Sequence, residues 1–286
     1  MPLRIGLPSR RSRSARGGRL PLRLIIAVVI ALITFVGWLL NTSTNPVTGE
    51  SQRVAGLSPS DEIQFGLAAV PELAAQFGGP VDDQQKQATV ETIGRELVGV
   101  LPDVYDFDKL PWEFSFTLLE DDQIVNAFAL PGGPTFITEA LFDQLTTEGQ
   151  LAGVLGHEIG HVLHRHGAER MAKQQLSQGL TQSAVIATGD YSTAQVAAMV
   201  GNFVMMSYGR EDELECDSEG IKLMVAAGYD PRSMIKVMEV LRAAGGGKGK
   251  SPEWASTHPD PDNRVARIEE AIKKLYPDGV PEGLKP

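Results

Sequence analysis

Residues 151–167 read LAGVLGHEIGHVLHRHG and contain four of the five histidines in a chain of 286 residues. Within this stretch His157, Glu158 and His161 form the pattern HExxH. Residues four apart on an α-helix lie one turn apart on the same face, so both imidazoles can reach one metal ion. Glu158 lies about 100° further round the helix, where its carboxylate can contact a water on that ion. The pattern therefore predicts a helix with a catalytic zinc site, in which three protein ligands leave a fourth position for water.

The flanking residues favour this interpretation over a helix that carries two histidines at this spacing by chance. Thr147 is a predicted N-cap, and Gln150 follows it at the position required for a capping box. Glycines at 153, 156 and 160 each cost about 1 kcal/mol relative to alanine inside a helix. We therefore expect another element to pack very close to this backbone. The predicted core face of the helix consists of Leu151, Leu155, Ile159, Val162 and Leu163.

The other two histidines of the stretch are not expected to bind the same ion. His164 lies about 10 Å along the helix axis from His157, so we predict a position at the rim of the site. His166 projects opposite the metal face, among the leucines, and is predicted to be a hydrogen-bonded, partly buried residue. The arrangement HExxHxxGxxH is excluded, because it needs Gly at 164 and His at 167. The third ligand must come from another part of the chain.

The acidic segment 208–220, YGREDELECDSEG, is the candidate source of that ligand, although most such runs are solvated helix faces. Glu213 and Asp217 are four residues apart, so one can bind the metal while the other accepts a hydrogen bond from a ligand histidine. Glu211, Glu215 and Glu219 form another stripe, which we predict to be solvated.

These features together resemble the HtpX and CAAX-prenyl-protease group of membrane-associated zinc metallopeptidases. The resemblance covers nearly all of the chain after residue 40. It rests on HExxH, on the Glu213 and Asp217 pair, and on the segments VNAFALPGGPTFIT (125–138), AAGYDPRSM (226–234) and STHPDPDNRVARI (256–268). It implies a gluzincin-type domain in which His157, His161 and Glu213 bind one zinc ion and Asp217 orients a ligand. It also implies that His258 and Arg264 lie near the cleft.

The sequence leaves the roles of His258 and Arg264 open. A cation or an N–H donor is needed to stabilise the oxyanion of a tetrahedral intermediate, and His258, Arg264 and Tyr208 are the candidates. His258 can instead be an occluding fourth zinc ligand in a resting state, or a loop histidine of no consequence. For substrate, the strand residues Asn126, Ala127, Phe128 and Ala129 are candidates, because an unpaired strand edge can bind an extended peptide. The alternative for these residues is a structural hairpin.

An apolar run, Leu24 to Leu40, follows seven arginines and no acidic residue. Its 17 residues are at the short end for a membrane span, and it contains no charge. A cleaved signal peptide is the alternative, but no small-x-small cleavage site follows the run. The basic flank predicts that the remainder lies outside the cytoplasm, as expected for a single-pass protein of a cell inner membrane with a periplasmic domain. An Arg-rich and Ser-rich leader also suits mitochondrial import, although Pro2, Pro8 and Gly17-Gly18 oppose the amphipathic helix of such leaders.

The predicted organisation is a basic cytoplasmic tail (1–23), a transmembrane anchor (24–40), a polar linker (41–58) and a zinc metallopeptidase domain (59–286). Without the seven arginines the chain has 19 basic and 36 acidic residues, a net charge of −17 that argues against nucleic-acid binding. Helical periodicity is clear in 61–77, 84–101, 220–227 and 231–244, and strands are predicted in 112–119, 124–130 and 135–137. The fold class is therefore mainly α with a small antiparallel β-sheet.

We interpret the chain as a membrane-anchored zinc endopeptidase that acts in protein quality control on misfolded or membrane-associated polypeptides. Glu158 is the predicted general base. The alternative from another class is a catalytically latent, membrane-tethered chaperone or binding protein that uses the same cleft. Glu158 argues against this alternative, because a purely structural zinc site needs no general base.

Overall fold

In a computed structural model of the chain, the described residues are 22–54, 56–105, 110–174, 176–177, 208–245, 253–258 and 264–286. Most of the arginine-rich tail, residues 1–21, lies outside them.

Helices dominate the described residues, and short strands form two small sheets. The helices are α1 (Leu22–Leu40), α2 (Pro59–Gln76), α3 (Gln84–Gly99), α4 (Leu101–Tyr105), α5 (Glu139–Phe142), α6 (Glu148–Leu163), α7 (Arg210–Ala226), α8 (Ser233–Gly245), α9 (Glu253–Thr257) and α10 (Arg264–Leu275). The strands are β1 (Ser43–Thr44), β2 (Ser51–Gln52), β3 (Ser115–Leu119), β4 (Ala127–Ala129) and β5 (Pro134–Thr138). The prediction of a mainly helical fold with a small sheet is confirmed.

The larger sheet is mixed, so the prediction of an antiparallel sheet is wrong for one of its two pairings. Its strand order is β3-β5-β4. β4 and β5 form an antiparallel hairpin, closed by a turn in which Gly132 and Gly133 have φ angles of 87° and 119°. β3 instead pairs with β5 in parallel. Alternation of side chains shows that a segment is a strand, but it does not show which neighbour pairs with it or in which direction.

Helix α6, which carries HExxH, lies at the centre of the main hydrophobic core. Every residue from Gly149 to Leu163 is buried. The predicted capping box is present, with Thr147 as the N-cap and Gln150 as its partner. Side chains of α3, α7 and α8 and of strands β4 and β5 pack around the helix.

Two glycines of α6 allow α7 to pack directly against its backbone, as the sequence predicted. A Cβ atom on Gly156 would lie 3.2 Å from the Cα atom of Gly220, and one on Gly160 would lie 3.0 Å from the Cα atom of Cys216. Both distances are tighter than ordinary Cβ contacts. This close approach brings the acidic side chains of α7 within reach of the α6 histidines.

The segment 41–58, which the sequence predicts to be a polar linker, contains two short strands. β1 and β2 form an antiparallel hairpin in this segment, and the hairpin contacts the C-terminal end of α6. Asn45 donates a hydrogen bond of 2.7 Å to the carbonyl of Leu163, and Gln52 donates one to the carbonyl of His164. The last carbonyls of a helix have no partner within the helix, so these polar side chains stabilise the end of α6. Polar composition alone did not distinguish such a cap from a linker.

Helix α1 contains the predicted membrane segment. It is long and apolar enough to cross a membrane, and only 6% of its most apolar stretch is buried against the rest of the structure. It continues directly into the hairpin of β1 and β2.

Candidate metal centre

His157 and His161 lie one turn apart on α6, and their Nε2 atoms are 3.2 Å apart. Both side chains are buried. From zinc–nitrogen bonds of about 2.0–2.1 Å, two ligands of a tetrahedral ion are expected to lie about 3.3 Å apart. The spacing of the two nitrogens fits this value.

Glu213, on α7, completes the arrangement from the other side. Its carboxylate oxygens lie 3.4 Å from Nε2 of His157 and 3.6 Å from Nε2 of His161. The Glu213 carboxylate is fully buried, and neither of its oxygens makes a hydrogen bond to the described residues. A buried carboxylate without hydrogen bonds is costly unless cations neutralise it; Arg264 lies 3.1 Å from Oε2, and a metal ion would neutralise the carboxylate from the side of the two histidines. The three residues therefore fit a divalent metal ion by both distance and charge.

Asp217, one turn after Glu213, contacts the far nitrogen of a ligand histidine. Its Oδ1 atom lies 3.0 Å from Nδ1 of His157. Arg264, which is also fully buried, donates to both oxygens of Asp217 at 2.7 and 2.8 Å. Although burial alone raises the pKa of Asp217, the charge of Arg264 and the bond to His157 lower it to about 2. An ionised Asp217 at this distance can accept a hydrogen bond from Nδ1 of His157, which would leave Nε2 free for a metal ion.

Arg264 thus contacts the ligand carboxylates. Its NH1 atom lies 3.1 Å from Oε2 of Glu213, in addition to its bonds with Asp217. The sequence proposed Arg264 as one candidate for oxyanion stabilisation. The contacts seen here favour a positioning role instead, because the guanidinium group is bound to two acidic side chains.

Glu158 lies beside the ligands with no hydrogen bond from the described residues to either carboxylate oxygen. Burial raises its pKa to about 7. A carboxyl group with a pKa near neutrality can both accept and release a proton, as a general base and acid must do.

His258 lies next to this carboxylate, with its Nε2 atom 3.4 Å from Oε1 of Glu158. It is also near enough to the three candidate ligands that one donor atom from each of the four lies within 4.8 Å of the others. Its Nδ1 atom is 2.9 Å from the hydroxyl of Thr257, and its ring stacks on Trp254. The stacking partner Trp254 was not singled out from the sequence, since a tryptophan before a Thr-His-Pro segment carries no specific signal.

Tyr208 stacks on the other ligand histidine. Its ring centre lies 3.6 Å from that of His161, and Arg170 lies over its opposite side at 4.0 Å. The ring centre of His258 lies 5.2 Å from those of Tyr208 and His161, so the three rings are neighbours.

His166 belongs to the site, so its predicted location among the leucines is wrong. Its Nδ1 atom lies 3.0 Å from Nδ1 of His161, and its Nε2 atom lies 3.0 Å from Glu215. The helical projection failed because α6 ends at Leu163 and Arg165 has a left-handed φ of 56°. The contacts from Glu215 through His166 to His161 parallel the contact between Asp217 and His157.

The prediction of solvated glutamates is also wrong for one residue. Glu219 is 1% exposed, and its carboxylate lies 3.6 Å from Nε2 of His164. His164 was predicted at the rim and is in fact buried, at 6% exposure. It is the C-cap residue of α6, where acidic side chains of α7 surround it.

The candidate substrate strand is an edge strand, because β4 is the outer member of the order β3-β5-β4. At one end of β4 the N–H of Thr138 donates a hydrogen bond to the carbonyl of Asn126. At the other end the N–H of Leu130 donates one to the carbonyl of Pro134. Antiparallel pairing alternates, so the backbone groups of Ala127 and Ala129 point away from β5. Strand β4 packs against α6, which places this strand beside the helix that carries the candidate catalytic base.

Residues 84–272 match the sequence pattern of peptidase family M48. The chain belongs to peptidase family M48. The matched region extends from α3 to α10 and contains all the candidate ligands. The resemblance to membrane-associated zinc metallopeptidases is confirmed, and the family implies a metal cofactor.

Several relatives of known name share the M48 region. The beta-barrel assembly-enhancing protease of Escherichia coli (strain K12) is 32% identical over 230 residues, which cover 77% of this chain and 46% of the relative. The mitochondrial metalloendopeptidase OMA1 of Schizosaccharomyces pombe is 37% identical over 220 residues, which cover 77% of this chain and 63% of the relative. The chain spans about half the length of the first of these relatives.

Asp217 provides a test of ligand orientation in this M48 domain. We expect Asp217→Asn to weaken zinc affinity about 10- to 100-fold, as loss of a group that orients a ligand typically does. The amide keeps the shape of the side chain, but it lacks the negative charge that holds Arg264 and His157. Chelator-competition titration of the purified protein measures the change. Glu211→Gln is the matched control, because Glu211 is exposed on the same helix and should leave the affinity unchanged.

Proposed function

We propose that the chain is a membrane-anchored, zinc-dependent endopeptidase of the gluzincin type. In this proposal His157, His161 and Glu213 hold one zinc ion. The main support is the buried Glu158 carboxylate, which has no hydrogen bond among the described residues and lies beside this ligand set. A site that only held a structural metal would have no use for such a group.

Each side chain has a distinct task in the proposed reaction. A bound zinc ion would lower the pKa of water and polarise the peptide carbonyl. Glu158 takes a proton from the attacking water at a carboxylate oxygen and delivers it to the leaving amine nitrogen. Asp217 and Arg264 hold His157 and Glu213 in place. His258 and Tyr208 are the proposed donors to the developing oxyanion.

We propose that the substrate binds as an extended strand along β4. The backbone groups of Ala127 and Ala129 would pair with it, and Asn126 and Phe128 flank these positions. Backbone pairing gives affinity with little dependence on side-chain sequence. This mode suits misfolded or membrane-associated polypeptides, in which extended segments are available. Cleavage of such chains would be a quality-control activity.

The proposed location is a cell inner membrane, crossed once, with the peptidase domain on the periplasmic side. The division into a basic cytoplasmic tail (1–23), an anchor (24–40) and a peptidase domain (59–286) is part of this proposal. The two groups of relatives include one that is named as mitochondrial, so the orientation has to be measured for this chain.

The enzymatic function is tested by zinc analysis and casein digestion with the full-length chain in detergent. We expect about one catalytic zinc ion per chain, loss of digestion after chelation and recovery when zinc is restored. Binding of unfolded casein without cleavage, at full zinc occupancy, would instead support the latent chaperone.

The orientation is tested with a reporter enzyme fused after residue 286. Seven arginines precede the apolar segment, whereas Glu50 and Arg53 are the charged residues among the first 20 that follow it. This asymmetry predicts a periplasmic C-terminus, and therefore activity only from a reporter that functions in the periplasm. Replacement of the seven arginines by neutral residues should scramble the orientation. Activity of a cytoplasmic reporter on the unchanged sequence would overturn the assignment, and a mature N-terminus near Asn41 would show that the segment is a cleaved signal peptide.

A further inference from the structure

A second group of potential metal ligands lies outside the candidate catalytic site. It comprises Glu50 from the turn between β1 and β2, His164 at the end of α6, and Glu215 on α7, and one donor atom from each lies within 4.8 Å of the others. These residues line a cavity of about 420 Å³. Glu50 and Glu211 are exposed at its edge, so ions from solvent can enter.

His164 is the feature that distinguishes this cluster from an ordinary acidic surface. The histidine is 6% exposed, and neither ring nitrogen makes a hydrogen bond to the described residues. Its Nδ1 atom faces two carboxylates, at 3.5 Å from Glu50 and 3.2 Å from Glu215. These distances are close to the separation of about 3.3 Å expected between two ligands of a tetrahedral zinc ion.

The other ring nitrogen of His164 has a separate partner. Nε2 lies 3.6 Å from the buried carboxylate of Glu219, which Lys222 also contacts at 3.0 Å. A histidine that binds a metal through one nitrogen usually directs the other towards a carboxylate, which fixes the tautomer and the ring orientation. The two ring nitrogens of His164 fit this arrangement, with Nδ1 directed towards the proposed ion and Nε2 towards Glu219.

We propose that His164, Glu50 and Glu215 form a second site, which binds a divalent transition metal of the zinc type. Imidazole nitrogen favours zinc and similar ions over calcium and magnesium, which prefer sites built only from oxygen. Asp212 also lines the cavity, and its negative charge attracts cations to it.

The position of this site links the membrane-proximal hairpin to the candidate catalytic centre. Glu50 belongs to the segment that follows α1, and His164 is the C-cap of α6. Glu215 also contacts His166 at 3.0 Å, which in turn contacts His161 at 3.0 Å. An ion at the second site therefore fastens the hairpin to α6 and α7 and fixes the group that orients His161.

The test is a zinc titration of the metal-free, full-length chain in detergent, with calorimetric detection. We expect two equivalents to bind. His164→Gln and Glu50→Gln should each lower the affinity of one equivalent by at least about tenfold, the scale reported for weakened metal coordination. Glu50 is exposed, so its variant tests the site without disturbing the core. Glu211→Gln, which removes a non-ligand charge from the same cavity, should retain both equivalents.

The failure of this proposal can be distinguished from failure of the catalytic assignment. Glu213→Gln should lower the zinc affinity of the catalytic site only, whereas His164→Gln and Glu50→Gln should lower that of the second site only. A single equivalent in the unchanged chain that persists in His164→Gln would overturn the second site and leave the catalytic one intact. Two equivalents unaffected by either His164→Gln or Glu50→Gln would also overturn it, as would binding of calcium with equal affinity.

Discussion

Glu158→Gln is expected to reduce peptide hydrolysis about 100- to 10,000-fold, the usual contribution of a positioned general base, while zinc remains bound. The amide has the same shape as the carboxylate but accepts no proton at neutral pH. The three candidate ligands are unchanged, so the metal affinity should survive. Casein digestion and zinc analysis of the same preparation measure the two quantities separately.

Glu148→Gln is a suitable control for this experiment. Glu148 is on the same helix, in its first turn, and its exposed side chain makes only a surface ion pair with Lys285 in the described part of the structure. We expect full activity from this variant. Unchanged casein turnover in Glu158→Gln at equal zinc content would contradict the proposed mechanism.

Glu213→Ala is expected to strip the catalytic zinc, because the ion loses one of three protein ligands and its only negatively charged one. The substitution also leaves Arg264 without one of its two carboxylate partners, and loss of a partner from a buried ion pair can cost about 3–5 kcal/mol of stability. Glu213→Gln should therefore be measured in parallel, since it keeps the volume of the side chain. Metal analysis after gel filtration, together with the melting temperature, separates loss of zinc from loss of folding.

Substitution of two other glutamates on α7, Glu211 and Glu215, tests whether the loss of zinc is specific to Glu213. Glu211→Ala changes an exposed residue of α7 and should retain zinc. Glu215→Ala should affect the catalytic site only indirectly, since Glu215 contacts His166 and His164 rather than His157 or His161, and it should also remove a ligand of the proposed second site. Retention of a full equivalent of zinc at the catalytic site by Glu213→Ala would show that another residue is the third ligand.

The local sequence determined the candidate catalytic helix. The Thr147 and Gln150 capping box fixed where α6 begins, and helical spacing put His157 and His161 on one face. The three glycines predicted the close approach of another element, and the structure shows that α7 approaches in this way at Gly156 and Gly160. These features depend on contacts within a few residues, or on a backbone requirement that only glycine meets.

The errors begin where the regular helix ends. The projection of α6 was extended past Leu163, so His166 was assigned to the wrong side, although Arg165 turns the chain with a left-handed φ of 56°. Glu219 was predicted to be solvated, because its stripe on α7 is acidic. In the folded protein Glu219 lies 3.6 Å from His164, and an ion pair of 3.0 Å with Lys222 compensates for the burial of its carboxylate.

The sequence by itself determined the HExxH pattern, the helix that carries it, the pair Glu213 and Asp217, and the apolar N-terminal helix. Each of these is encoded by periodicity or by spacing along one segment. Tertiary structure alone decided that β3 runs parallel to β5, that 41–58 caps α6, and that Arg264 lies between Glu213 and Asp217. These contacts join residues far apart in the chain, such as Asn45 with Leu163 and Asp217 with Arg264. Their formation depends on which surfaces the packed core brings together, and no local pattern specifies that.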